Sequence, residues 1–383
     1  MVVGGASLAP ALSRLDGLSV DFLFWLRHAA FGSLHGPEES QVAIIGIDEE
    51  TYRREPFKDV PKALWTPEIA RVIEATLAGG ARVIGQDLIL PTSVEPFLQG
   101  YDRDYLLALR AGAREGRIVL GQVQHLAKPI TPYGGYNFAV GGHKNLRIVN
   151  LFREDDGIIR RVPVAVTRLS EGRGALSEPT FAMELAARAL DARPDISSTG
   201  DLQIGPARIP SNGGRGMLVN FAGGSNNLPV YSFADLSACA EAGDAHFFQK
   251  AFEGKVVIFG VVLDVEDRKL TSARYMTGPD GAWFAERCRL PVMDDVYGDQ
   301  IVRETIPGTF IFATAVNDIL RTTILRELPP SIEFIVVVGA ALLASWATLH
   351  LSIFGLAGAF TAGVVAWIGA AIWSFQNLLV IPL

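Results

Sequence analysis

An α/β fold is what this sequence predicts: one domain on a mixed, largely parallel sheet, followed by transmembrane α-helices. Three observations lead there. Short apolar runs rich in β-branched residues alternate with helix-patterned segments over the first third of the chain, as in a parallel α/β core. A later stretch built on tight-turn dipeptides adds antiparallel strands. From Phe334 to Leu383 the only ionisable side chain is His350, whereas charges recur every few residues before it.

The elements follow in order. "LSRLDGLSVDFLFWLRHAAFG" is apolar in part but broken by Arg14, Asp16, Asp21 and Arg27. It is too charged to span a membrane and lacks the cationic start and cleavage site of a signal peptide, so residues 1–37 read as an amphipathic lead-in. "VAIIGID" is a buried strand. "TPEIARVIEATLAGG" is a helix with Thr66 as N-cap, Pro67 in its first turn and a stop at Gly79-Gly80. "ARVIGQDLIL" is a second strand, and "DRDYLLALRAG" with "RIVLGQV" repeats the helix–strand unit. A glycine-rich loop, Pro132 to Gly142, comes next.

Leu146–Phe152 and Ile158–Val164 then read as two strands of a hairpin turning at Asp156-Gly157. Thr180 to Leu190 is a helix, "LQIGPARIP" a small hairpin, "GMLVNFAG" a strand, "SFADLSACAEAG" a helix capped by Ser232, and "KVVIFG" a buried strand. "IPGTFIFATAVNDIL" starts a helix at Thr309 and closes the domain, which spans residues 38–325. Two spans follow, at 332–350 and 353–375, each near the 20 apolar residues a bilayer requires. Residues 377–383 read as the start of a third. Gly355, Ala359 and Gly363, four apart, suit close helix approach and a homodimer through the membrane helices.

Composition narrows the function. Net charge is −7, and no basic block or aromatic-basic stripe is present, which argues against nucleic acid as a partner. The six histidines are scattered without an HxxxH pair, so neither a metal site nor a cofactor is expected. Cys239 and Cys288 are far apart in sequence and read as unpaired small residues in preference to a disulfide.

Asp48 and Asp87 each end an apolar strand, and ligands of open parallel sheets bind beyond the strand C-termini. Both are ligand-binding candidates, with Asp267 of "EDRKLTS" as a third. Terminal aspartates also cap loops, the competing reading. No phosphate loop, nucleophile elbow or HExxH motif is present, so no catalytic residue is assigned. The acids of "NLFREDDGIIRRVPV" read as solvated turn residues whose side chains splay apart, with Arg160 and Arg161 on alternate faces of the return strand. The mixed-charge stretch Tyr275 to Glu304 reads as a surface loop or as a lid.

In their order and spacing, "VAIIGIDEET", "TPEIARVIEATLAGGARVIGQDLIL", "VNLFREDDGIIRRVPV", "LVNFAGGSNNLPVYSFADL", "FEGKVVIFG" with "EDRKLTS", and "IPGTFIFATAVNDIL" resemble the CHASE-two (CHASE2) class of bacterial extracytoplasmic sensor domains. The resemblance covers nearly the whole chain from about Asp16. It implies a sensory module facing an unknown periplasmic ligand or protein, in a multi-pass inner-membrane protein. It also implies a cytoplasmic effector, most often an adenylate or guanylate cyclase, otherwise a kinase; none is present in this sequence. The family usually has one span before the domain and three after it, and this chain departs from both. The alternative is a membrane-tethered hydrolase with Asp48 and Asp87 as acid and base.

Overall fold

A computed structural model describes residues 9–125, 128–170, 174–223, 227–276, 285–293 and 305–381. The chain begins with α1 (Ala9–Phe31), then alternates β1 (Val42–Ile47), α2 (Thr66–Ala78), β2 (Val83–Gln86), α3 (Arg103–Arg114), β3 (Ile118–Gln122), α4 (Gly134–Ala139) and β4 (Leu146–Ile148). Short strands follow: β5 (Arg161–Val162), β6 (Ala165–Ser170) and β7 (Gly174–Pro179). After α5 (Phe181–Ala189) come β8 (Pro194–Ile196), β9 (Leu202–Ile204), β10 (Ala207–Ile209) and β11 (Met217–Leu218). The core resumes with β12 (Val230–Ser232), α6 (Phe233–Glu241), α7 (Ala245–Phe252) and β13 (Val256–Val261). The chain continues through β14 (Arg268–Leu270), β15 (Thr305–Pro307), α8 (Gly308–Leu320) and β16 (Arg326–Glu327). Last come α9 (Pro330–His350), α10 (Ile353–Gln376) and β17 (Leu379–Val380).

Six strands form the main sheet in the order β12-β1-β13-β2-β3-β4, and every neighbouring pair is parallel. Antiparallel pairing in the described residues is confined to small sheets outside it. Val42 and Ile44 face a core shared with α1, α5 and α8, while Ala43, Ile45 and Ile47 face one shared with α2, α3, α6 and α7. A sheet covered on both sides has no polar face, which is why its strands read as unbroken apolar runs. Each fully buried Ile or Val contributes roughly 1.5–3 kcal/mol.

Several local expectations are corrected. The first strand–helix–strand unit does not join neighbouring strands, since β13 lies between β1 and β2. Leu146–Phe152 and Ile158–Val164 do not pair as a hairpin: β4 extends the main sheet, while β5 pairs with β11. The turn itself forms, with Glu154 N donating to Ile158 O and Gly157, at φ 83°, donating to Glu154 O. The glycine-rich loop contains α4, anchored by buried Tyr136, with Val140 buried just beyond its end. Thr66 is the first helical residue rather than the cap, and its hydroxyl donates to Asp102 at 2.6 Å. Leu379–Val380 forms a strand beside Arg326–Glu327 rather than the start of a helix.

Helix α1 is clamped to the body through one buried guanidinium. Arg160, with 1% of its surface exposed, donates to Asp21 in a two-bond fork at 2.9 and 2.8 Å. Glu154 at 2.8 Å and Asp156 at 2.7 Å complete its shell. The turn acids therefore converge on an arginine instead of splaying into solvent. Asp21 also accepts from Ser272 and Arg274. Gly17, one turn before Asp21, makes the approach possible, because a Cβ there would lie 2.7 Å from Arg160 Nη1. Burial opposes the charge on Arg160, yet the bonds from Asp21 and Asp156 raise its pKa overall. The same bond holds Asp156 below the usual carboxylate range against its own burial.

Removing one partner of a buried ion pair strands the other charge, at a cost of about 3–5 kcal/mol. Asp21→Ala is expected to destabilise the chain by that amount and to expose α1 to limited proteolysis. Arg160→Met, which removes the stranded cation, should cost less in an Asp21→Ala background than alone. Additive losses in thermal unfolding would count against the clamp.

Candidate functional site

Beyond the C-terminal ends of β13 and β2, the first turn of α8 meets the sheet edge. Asp87 follows β2, and its Oδ2 accepts the Thr309 hydroxyl at 2.9 Å; the same hydroxyl lies 3.4 Å from Val261 O. This closeness requires glycine at 260, where a Cβ would stand 2.3 Å from Thr309 Oγ1. Gly308 N donates to Asp267 O at 3.1 Å, and a Cβ on Gly308 would meet Asp267 Oδ2 at 2.4 Å. Lys269 Nζ pairs with Asp267 Oδ1 at 2.6 Å. Asp87, Asp267, Lys269 and Thr309 thus form one cluster at a helix N-terminus.

Asp87 keeps part of its surface, yet desolvation in its crowded surroundings pushes its carboxyl up to about 7. The Thr309 bond opposes that rise, Asp267 adds to it, and Lys269 moderates it. The group therefore exchanges a proton near neutrality and can meet a ligand as donor or acceptor. Asp267 holds a left-handed φ of 54°, a backbone state more tolerable for aspartate than for most residues.

Of the three sequence candidates, the structure brings Asp87 and Asp267 together and keeps Asp48 apart. The intervening β13 separates the ends of β1 and β2, and Asp48 Oδ1 closes the turn after β1 by accepting from Thr51 N at 2.8 Å and Thr51 Oγ1 at 2.6 Å. Burial raises its pKa, against the Thr51 bonds. Two residues on, the fully buried Glu50 pairs with Arg54 and Arg287. An acid and a base acting together from Asp48 and Asp87 would have to reach across that strand.

Arg287 belongs to a strap, residues 285–293, that binds the flank of α6. Asp235 accepts from the backbone N–H groups of Cys288, Arg289 and Leu290 at 2.7, 2.9 and 2.6 Å. That anchoring brings Cys288 to Cys239 with 5.8 Å between Cα atoms, and the two form a disulfide. The expectation of unpaired cysteines is therefore overturned: a separation of 49 residues carries no sign of the pairing, which Asp235 arranges in space. Residues 277–284 and 294–304 of the expected surface loop lie outside the described residues.

A second constellation went unnoticed in the sequence. It sits at the opposite end of α8, where the chain heads for the apolar hairpin. Asp318 is buried and accepts from Asn220 N at 2.8 Å, with Thr323 Oγ1 3.3 Å from its other oxygen. Arg27 of α1 donates to Asn220 Oδ1 at 2.8 Å and to Phe221 O at 2.7 Å. Its guanidinium lies over the rings of Phe24 and of Phe375 in α10, at 5.0 and 4.6 Å. Burial lowers the pKa of Arg27 to about 10, partly offset by Asp318, whose own pKa burial raises well above the usual carboxylate range. The adjacent polar pair Asn317-Asp318 inside an otherwise apolar helix was the available signal, since a buried polar group in such a setting demands partners.

The family model described as the CHASE2 domain matches residues 1–350. No curated protein and no solved structure matches the chain.

The carboxyl of Asp87 titrates near 7 in the folded chain against 3.8 ordinarily, so between those values the folded state holds the extra proton. Stability from this group is present at low pH and is lost as pH rises through that window. Asp87→Asn abolishes the loss. Its thermal stability relative to wild type should climb between pH 4 and pH 8, by an upper bound of roughly 4 kcal/mol. Parallel pH profiles for the two proteins would assign the titration elsewhere.

Proposed function

The chain belongs to the CHASE2 family of extracytoplasmic sensor domains, and from that premise we propose that it is the membrane-anchored input module of a bacterial signal-transduction receptor. In this reading the α/β body detects an extracytoplasmic stimulus. The apolar hairpin α9–α10 crosses the membrane, and a cytoplasmic effector, of the adenylate or guanylate cyclase kind that the family resemblance implies, receives the signal.

The observation that carries the reading is the span of α8. Its first turn touches the Asp87–Asp267 crevice, and its last turn holds Asp318, which faces Arg27. Arg27 in turn stacks on Phe375 near the end of α10. One helix therefore joins a titratable crevice to the base of the hairpin. A stimulus acts through this path only by binding two arrangements of the body unequally.

Two further features support the placement. Apolar side chains are exposed along both hairpin helices, including Phe334, Trp346, Phe354 and Phe360, and an apolar surface of this extent needs a bilayer or a partner to cover it. By length and composition α10 qualifies as a span among the described helices, while the apolar part of α9, Phe334–His350, is shorter. The disulfide suits an oxidising compartment such as the periplasm. Gly355, Ala359 and Gly363 leave one face of α10 open to a second copy.

Topology and coupling are tested together. In intact cells producing the chain, a membrane-impermeant maleimide should label Ser198→Cys on the body, and should reach Leu351→Cys at the hairpin tip only after permeabilisation. Labelling of the body only from the cytosolic side would overturn the reading. In nanodiscs, Arg27→Gln should speed hydrogen exchange over residues 371–380 at least about tenfold, equivalent to ~1.4 kcal/mol, while the exchange of β1 and β13 is unchanged. Replacing Pro329-Pro330 with a flexible linker should abolish the response of a coupled effector and preserve its basal activity.

A further inference from the structure

A cup of about 520 Å³ opens between α3 and α4, and its lining shares no residue with the crevice cluster. Its floor and wall are apolar, built from Leu106, Val140 and the ring of Phe138, which is 86% exposed. Three cations line it: Arg110, Arg114 and Lys144. Among the described residues no carboxylate lines the cup, although the chain as a whole carries a net charge of −7.

The same edge of the body shows how this protein ordinarily treats its arginines. Arg117 pairs with Glu115, while Arg147 and Arg188 share Glu184. Among the described residues the three cations of the cup have no such partner. Arg114 lies in the last turn of α3, where a helix dipole favours a positive charge. That accounts for neither Arg110, one turn earlier, nor Lys144 across the cup.

We propose that this cup binds a small anionic amphiphile, an apolar body bearing one carboxylate, sulfonate or phosphate. The volume falls in the range of small-molecule pockets, where an apolar lining supplies affinity and a few polar groups fix orientation. Here the apolar body fills the cup against Phe138, and the anion meets the three cations at its rim.

The site is wired to the crevice. Tyr105 of α3 and Tyr136 of α4 stack edge to face with centroids 4.9 Å apart, directly beneath the two helices that form the cup. The Tyr105 hydroxyl donates to Gln86 Oε1 at 2.9 Å, one residue before Asp87. The Tyr136 hydroxyl donates to Asp102, the residue preceding α3, at 2.7 Å. A ligand that spreads or closes α3 against α4 therefore bears on the neighbour of the titrating carboxyl. This deepens the sensory reading and rests on it for its purpose. Binding is measured directly, so it can fail while the topology and coupling stand, or hold while they fail.

The experiment uses the full chain in phosphatidylcholine nanodiscs, with empty nanodiscs subtracted, and calorimetric titration with naphthalene-1-sulfonate. Saturable binding at one site per chain is expected. Arg110→Gln/Arg114→Gln/Lys144→Gln should weaken it at least tenfold with an unchanged unfolding temperature, since all three side chains are exposed. Phe138→Gln should weaken it independently and covers the case in which the triple variant misfolds. Undiminished binding by both variants overturns the proposal. So does equal affinity for 1-naphthalenemethanol, which would leave an apolar cup alone, or full competition by inorganic sulfate, which would leave a bare anion site. Loss of binding on raising chain concentration, with dimers in light scattering, would give the cup to a second copy and overturn it as well.

Discussion

A single buried guanidinium holds this molecule's first helix, its central turn and the short helical turn at Ser272–Tyr275 in one arrangement. Arg160 is surrounded by Asp21 from α1 and by Glu154 and Asp156 from its own turn, and Asp21 reaches on to Ser272 and Arg274. An ion taken out of water is tolerable only when its hydrogen-bonding capacity is met, so each of these partners is required by the others. Loss of Arg160 would leave the buried Asp21 with only Ser272 and the part-exposed Arg274, and loss of Asp21 would remove the two-bond partner of Arg160. The position of α1 follows from this cluster, and with it the position of Arg27, which lies on the same helix and reaches Asn220 and Phe375.

The two ends of α8 are built on contrasting electrostatics. At the first turn, an acid displaced to near neutrality stands in a partly open crevice, with one hydroxyl donor and a neighbouring Asp–Lys pair. At the last turn, the Asp318 carboxyl is enclosed, and an arginine between two aromatic rings faces it. At the first end, burial raises the Asp87 carboxyl to about 7, against the Thr309 bond. The second is rigid because its groups are enclosed and their partners come from three different segments of chain. Any coupling that α8 carries between these two ends acts equally in both directions.

Local periodicity made much of this legible. The β1 and β2 runs, the apolar stripe of α2, the turn at Asp156-Gly157 and the start of α6 after Ser232 are all encoded within a dozen neighbouring residues. What depends on distant chain was hidden. The slot between β1 and β2 is filled by β13, some 170 residues further on in rough count, and no short-range pattern announces it. Arg160 looked like a strand-surface residue because its principal partner, Asp21, lies 139 positions away. The disulfide was missed for the same reason. The α4 helix was masked by its own glycines, which lower helix propensity while Tyr136 and Val140 supply the packing that overrides it. In the candidate site, two aspartates were placed at strand ends from sequence alone, but only the fold shows that Asp87 meets Asp267 and that Asp48 serves its own turn.

The short parallel pairing of Arg326–Glu327 with Leu379–Val380 has a mechanical consequence. It stitches the point where the chain leaves the body to the point where it comes back from α10, and Arg326 N adds a bond to Leu378 O at 2.8 Å. Sliding either helix along its axis relative to the body would shear this seam, whereas rocking both about it would not. The seam therefore resists axial sliding of the hairpin, and its parallel direction sets Leu379–Val380 on the same heading as Arg326–Glu327, the strand that leads into α9.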